Sequence, residues 1–374
     1  MQLNVLKDDL AAGLAIVGRA VTARSTLPVL HNICLTTEGS RLRLSATNLE
    51  RALTCWVGAQ VTEEGAITLP AKTLLDTVNA IAFGESLEVS IKDKTLFLKA
   101  AGSKTQIKGM EAEEFPVIPY GPTWGEPQII VAATVLRKAI EQTTFSAATD
   151  EARPTLTGVL LRTHSGQATL AATDGFRAAE AVIAASVTGN DRKAVVPASA
   201  LDTLKNVLGK ETQDVKIYFA PQDGQVVFAF DNVELLTQLI EGEFPDYEHI
   251  LPAQAAITAT VNVGEMRAAI RAVNVFARED AHTVKFTFDD AGLTLLGQSA
   301  ETGQAVARMA TDVSGLTESF QIAFNAKYLL DVFAALTTDR CQLRFNTPTS
   351  PSLFVPVEAA GGYRAVIMPL RVGN

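Results

Sequence analysis

The stretch Ala172-Thr173-Asp174-Gly175-Phe176-Arg177 holds the residue types in this chain most suited to chemistry. An aspartate beside a glycine, with an arginine three positions on, could move a proton or grip a phosphate. The same residues between two apolar runs also meet the needs of a hairpin turn. Aspartate bonds to its own backbone, and glycine supplies a positive φ. Other constellations are weaker. His31, His164, His249 and His282 lack metal-ligand spacing, and Cys34, Cys55 and Cys341 form no CxxC pair. The chain has no GxSxG, HExxH or GxxxxGK[ST] motif, and no GxGxxG opens a helix after a strand. The paired acids Asp8-Asp9 and Glu113-Glu114 fall at helix starts and turns, where solvated acids are ordinary. The expectation is a structural turn in a protein that is not an enzyme, with no metal and no cofactor.

The elements that would position this turn occur three times. RLRLSATNLERAL at 41–53, QATLAATDGFRAA at 167–179 and LTLLGQSAETGQA at 293–305 each read as strand, polar turn and strand. The spacing is about 127 residues, long enough for each copy to be a whole domain. Asn48 stands where the second copy has Asp174, and the third copy has no matching acid. Downstream, 68–81, 195–208 and 323–336 carry apolar residues at i, i+3, i+4 and i+7, the helical signature. Upstream, 8–21, 132–145 and 264–277 do the same. The first two copies close on EEFPVIP at 113–119 and GEFPDYEHILP at 242–252, and YRAVIMPLRV at 363–372 closes the third. The pattern predicts an α+β fold of three tandem domains, each with two helices packed on antiparallel sheets. The predicted bounds are 1–122, 128–252 and 256–374. Linkers are expected at Gly121–Pro127 and around Pro252–Ala255, where turn residues cluster.

Composition agrees with a large core: 374 residues, 47% of them hydrophobic. The first ten residues do not resemble a secretory signal, and no run approaches the roughly 18 apolar residues of a membrane span. Three separated cysteines suit reduced thiols, so a soluble, cytoplasmic protein without a membrane partner is expected. The net charge of −9 by itself argues against nucleic acid. It does not exclude one basic face on an acidic molecule.

STLPVL at 25–30, ATDGFR at 172–177, FPDYEHILP at 244–252 and VIMPLR at 366–371 occur in the order and spacing of one family. The whole chain resembles the bacterial β sliding clamps, the processivity subunits of DNA polymerase III. The resemblance implies three copies of the DNA-clamp fold and a head-to-tail homodimer whose six domains close a ring around double-stranded DNA. The family's helices line the hole and carry basic residues. Here those would be Arg19, Arg24, Lys72, Arg137, Lys138, Lys205, Arg267, Arg271, Arg278 and Lys327, against the acids Asp76, Glu141, Asp202, Glu265 and Asp331. Contacts by family loops match Arg24 and Thr149–Arg153, which adds Arg153 to the DNA-facing set. A ring held by topology needs few phosphate contacts and no base-reading element.

The resemblance also places a peptide groove between the second and third domains. Its walls would be Leu156, Thr173, Gly175, Phe176, Arg177 and Ala178 on one side. Pro245, His249 and Ile250 come from the FPDY segment. Tyr328, Val366, Met368, Pro369, Leu370 and Arg371 complete it. Methionine suits adaptable apolar contacts, and arginine suits a carboxylate or carbonyl. The partners implied are the DNA polymerase III α subunit, an ATP-dependent clamp loader, and other polymerases and repair proteins with clamp-binding motifs. The family often has histidine at the place of Phe176 and a larger aliphatic at that of Ala178. It also tends to stop sooner than the tail Gly373-Asn374 here. At the dimer seam the resemblance sets Val275 and Phe276 against the Thr105–Ile107 strand, with Phe276 equally readable as a core residue. Two other readings stand beside the clamp: a scaffold with the fold and groove that does not load onto DNA, and an enzyme using Asp174 and Arg177.

Overall fold

The computed structural model describes residues 1–374 apart from 23–24, 83, 101, 210–211, 213, 223, 359–361 and 372–374. Among the described residues the six α-helices are α1 (Lys7–Val17), α2 (Ala71–Ala80), α3 (Ala133–Thr143), α4 (Ala198–Val207), α5 (Val263–Ala277) and α6 (Ala326–Ala335). Each repeat runs strand, helix, strands, helix, strands. The chain is a threefold repeat of helix and antiparallel sheet.

Two compact units form. One holds Met1–Thr134, Ser186–Gly189 and Asp202–Leu239; the other holds Val135–Ala185, Asn190–Leu201 and Ile240–Asn374. The second repeat thus contributes to both. In the first unit, strand Val233–Gln238 pairs with Arg51–Glu63, with Val233 opposite Cys55, so that one 13-stranded sheet runs through the junction of the first two repeats. In the second unit, Arg177–Ile183 pairs with Arg364–Ile367 in a nine-stranded sheet, and a four-stranded sheet lies beside it in sequence at 283–325. Sheet hydrogen bonds therefore continue across each repeat boundary.

Helix periodicity becomes burial. α1 buries Leu10, Gly13, Leu14 and Val17, and α5 buries Val263, Met266, Ile270, Val273 and Ala277. Each large aliphatic so buried contributes about 1.5–3 kcal/mol. At Gly13 an added Cβ would come within 2.7 Å of Leu44 and 2.9 Å of Val57, so glycine is what lets α1 approach the hairpin beneath it. Asn262 and Asn325 start α5 and α6 by accepting from the backbone N–H of Glu265 and Lys327, satisfying donors that the helix leaves unpaired.

The linker expected at Gly121–Pro127 is partly built into the first unit. Gly121–Trp124 forms a 3-10 turn, and the buried Gly121 N–H donates to Glu234 Oε2 at 3.3 Å. A Cβ there would lie 2.8 Å from the Tyr218 ring, so only glycine fits this approach. The Ser103–Lys108 strand ends the 13-stranded sheet, and Gly303–Met309 ends the four-stranded one.

Candidate functional site

The ATDGFR segment is a turn between strands Gln167–Thr173 and Arg177–Ile183, with Thr173 opposite Ala178. Asp174 Oδ1 accepts from the N–H of Phe176 at 2.8 Å and of Arg177 at 2.9 Å. Its Oδ2 accepts from Arg177 Nε at 3.0 Å. Thr173 Oγ1 donates to the Arg177 carbonyl at 2.7 Å and accepts from the Gly175 N–H at 3.1 Å. Gly175 has φ 91°, the left-handed region. Both carboxylate oxygens hold the turn, which leaves Asp174 poorly placed as a general base.

The first repeat builds the same turn from other residues. Asn48 Oδ1 accepts from the N–H of Glu50 and Arg51, at 3.2 and 2.9 Å. Thr47 Oγ1 donates to the Arg51 carbonyl at 2.8 Å and accepts from the Leu49 N–H at 3.0 Å. Leu49 takes the glycine's place at φ 75°.

Arg177 links the turn to the third repeat. Its Nη1 donates to Asp331 Oδ2 at 2.6 Å, and its guanidinium lies 4.4 Å from the Tyr328 ring centroid and 5.4 Å from that of Phe145. Burial, and then the Asp174 charge, raises the Tyr328 phenol above its ordinary range, with Arg177 opposing. The chain after Ile367 crosses beside this group. The Met368 N–H donates to the Phe176 carbonyl and the Leu370 N–H to the Ala323 carbonyl, both at 2.8 Å. Phe176 stands 59% exposed in front of this strap, beside half-buried Met368, Pro369 and Leu370.

The FPDY segment joins the same sheet lower down. Ile250 and Phe244 pack on Leu160, Ala171 and Tyr247. Tyr247 Oη donates to the buried Glu180, which also accepts from Arg364 Nε at 2.9 Å. Pro245 and His249 are exposed, and His249 Nε2 lies 2.9 Å from Asp246 Oδ2.

Several expected positions are held by partners or burial that their local sequence does not show. Leu156, Thr173, Ala178 and Val366 are buried, and Ala178 pairs directly with Val366. Asp331, read from sequence as an acid of the DNA-facing helices, is the Arg177 partner. Ile107 is 4% exposed and faces the core, because its partner Leu96 is buried too. Phe145 was missed. It follows α3 in a 3-10 turn, and no local pattern marks it as a neighbour of Arg177.

The remaining positions fall as follows. Arg24 lies outside the described residues, as does the Gly373-Asn374 tail. Lys72 and Lys138 are exposed on α2 and α3. Arg137 pairs with Glu141 at 3.4 Å and Lys205 with Asp202 at 2.7 Å. Arg153 is exposed, and its Nη2 donates to the Asp174 carbonyl at 3.1 Å, which joins the loop to the turn. Arg371 is exposed at the end of the strap. Thr105 is half-buried on the edge strand Ser103–Lys108. Val275 is 51% exposed at the end of α5, and Phe276 is half-buried with its ring near Gly303 of the other edge strand. No helix among the described residues is long and apolar enough to cross a membrane.

A triplicated helix-on-sheet chain, with a half-buried apolar strap beside one anchored guanidinium, has the architecture of a clamp. The DNA polymerase III beta subunit models match most of it in turn: the N-terminal domain at 1–119, the central domain at 130–246 and the C-terminal domain at 248–371. The chain is 32% identical to the beta sliding clamp of Caulobacter vibrioides and 29% identical to that of Synechocystis sp., in each case over 100% of both chains. The crystal structure of the DNA polymerase III subunit beta from Pseudomonas aeruginosa is similar with a TM-score of 0.92, at 25% identity over 100% of both chains. This chain belongs to the DNA polymerase III beta subunit family.

Proposed function

We propose that this protein is a sliding clamp that encircles duplex DNA and tethers DNA polymerase III and other replication or repair proteins, without catalysing a reaction itself. Its domains are 1–122, 128–252 and 256–374, and two copies join head to tail. The free edges of Ser103–Lys108 and Gly303–Met309 support that pairing, since unpaired strand edges seek partners. In this reading Thr105, Val275 and Phe276 lie at the seam, with Ile107 behind it. Lys72, Lys138, Arg153, Arg24, Arg137 and Lys205 face the DNA. An ATP-dependent loader opens the ring in the cytoplasm.

The observation that carries the tethering role is the apolar surface of Phe176, Tyr328, Met368, Pro369 and Leu370 around the fixed Arg177. Rigid backbone anchors at Phe176 and Ala323 keep it preorganised, so a partner's linear motif meets little ordering cost. Pro245, His249, Ile250 and Arg371 form its rim. Calorimetry with a C-terminal peptide of the polymerase α subunit tests the assignment. Met368→Ala with Leu370→Ala should weaken binding by more than about 1 kcal/mol. Unchanged affinity would remove the site.

A further inference from the structure

A cavity of about 590 Å³ lies in the first unit, remote in sequence from the strap. Its lining includes Trp56, Tyr120, Tyr218, Ala229, Lys216 and Glu234. The register explains why there is room. Lys216, Ala229 and Glu234 sit opposite one another on three adjacent strands, and the middle one has a side chain of a single carbon. The outer two backbones are thus about 10 Å apart.

The aromatic wall is fixed in place. Trp56 and Tyr120 have centroids 5.6 Å apart. Glu38 accepts from Trp56 Nε1 and from Tyr120 Oη, each at 2.8 Å, and pairs with Arg43 Nη1 at 2.9 Å. Glu38 is therefore satisfied by the protein itself. Glu234 is not. It is nine-tenths buried, its one hydrogen-bond partner among the described residues is the Gly121 N–H, and it forms no ion pair among them, although Arg41 and Lys216 line the same cavity. Burial holds its carboxyl above the usual carboxylate range, against the lowering effect of that N–H.

We propose that this cavity binds a guanidinium group, the side chain of an arginine on a partner polypeptide, which lies along the aromatic wall and pairs with the Glu234 carboxylate. A planar cation meets both surfaces at once: it stacks on rings and donates in parallel to carboxylate oxygens. The same rings already hold cations of this chain, Arg41 over Trp56 at 5.8 Å and Arg43 over Tyr120 at 5.5 Å. Lys216 is exposed, and its ammonium suits a carbonyl or an acidic neighbour on the incoming chain.

The test titrates the intact protein with N-acetyl-arginine amide, agmatine and N-acetyl-citrulline amide, and follows the indole N–H resonance of Trp56. The arginine compound should shift that resonance saturably, and the uncharged citrulline isostere should not. Tighter binding of the arginine amide than of agmatine assigns the site to polypeptides. Equal binding keeps a guanidinium site but assigns it to small molecules. Glu234→Gln retains an acceptor for the Gly121 N–H and should weaken binding at least tenfold. Ala229→Leu, which fills the floor without touching the carboxylate, should also abolish it. The proposal fails if citrulline binds as well as arginine, if no saturable shift occurs, or if both variants bind like the parent.

Discussion

The Arg177 guanidinium stacks 4.4 Å from the Tyr328 ring centroid and bonds to Asp331 one turn further along α6, which ties residues 154 positions apart into one corner. The stack and the two carboxylates hold the guanidinium from three sides, and an ammonium cannot reproduce that fork. Arg177→Lys should lower the free energy of local opening at Phe176–Ala178 by about 1–2 kcal/mol, measured by amide hydrogen exchange. Tyr328→Phe keeps the ring and should leave exchange there unchanged.

Asp174 acts on the backbone, so its replacement should be graded by acceptor count. Asp174→Asn retains the oxygen that serves two N–H groups, as Asn48 does in the first repeat, and should cost about 1 kcal/mol. Asp174→Ala leaves those donors unpaired and should cost about 2 kcal/mol in denaturant unfolding. Equal costs would contradict this account of the turn.

Leu49 holds a left-handed conformation that glycine holds in the second repeat, and its side chain is half exposed. Asparagine tolerates that region better and adds no unfolded-chain entropy. Leu49→Asn should stabilise the first unit by about 0.5–1 kcal/mol in thermal unfolding.

The three cysteines are buried, and burial pushes the Cys55 thiol up to about 11 and the Cys341 thiol up to about 12. Their ordinary value is 9.0. Above that pH an unfolded chain sheds these protons while the native protein keeps them, so the unfolded state binds fewer protons and stability falls as pH rises. The contribution is complete below about pH 9 and is lost between there and about 11 for Cys55, or about 12 for Cys341. Denaturant midpoints measured from pH 8 to 11 should decline. Native protein at pH 8 should resist thiol alkylation until it unfolds.

Lys72 and Lys138 are exposed on helices, and neither forms an ion pair among the described residues. If each meets a phosphate, Lys72→Ala or Lys138→Ala should lower the slope of log affinity against log salt by about 0.9 for each phosphate no longer neutralised. An unchanged slope would take that residue out of the DNA-facing set.

Much of the architecture was legible because its causes are local. Leu201 and Leu204, with Leu208 just past the helix end, announce α4 by spacing alone, and Asp174 with Gly175 carries turn chemistry that the hydrogen bonds then display. What stayed hidden depends on distant partners. Nothing near Asp331 signals Arg177, and nothing near Ala178 signals that it pairs with Val366 across a sheet. Alternation along the edge strand does not say which face is inward, and the burial of Ile107 is visible only in the fold. Glu38, Trp56 and Tyr120 are spread over 82 positions, so their cluster exists only in three dimensions.

Retention on DNA tests the central claim most directly. Labelled protein loaded onto nicked circular plasmid by an ATP-driven loader should stay with the plasmid through gel filtration at moderate salt. A single restriction cut should then release it, because enclosure without adhesion fails at a free end. Protein that remains bound after linearisation, or that is never retained on the closed circle, would contradict the clamp.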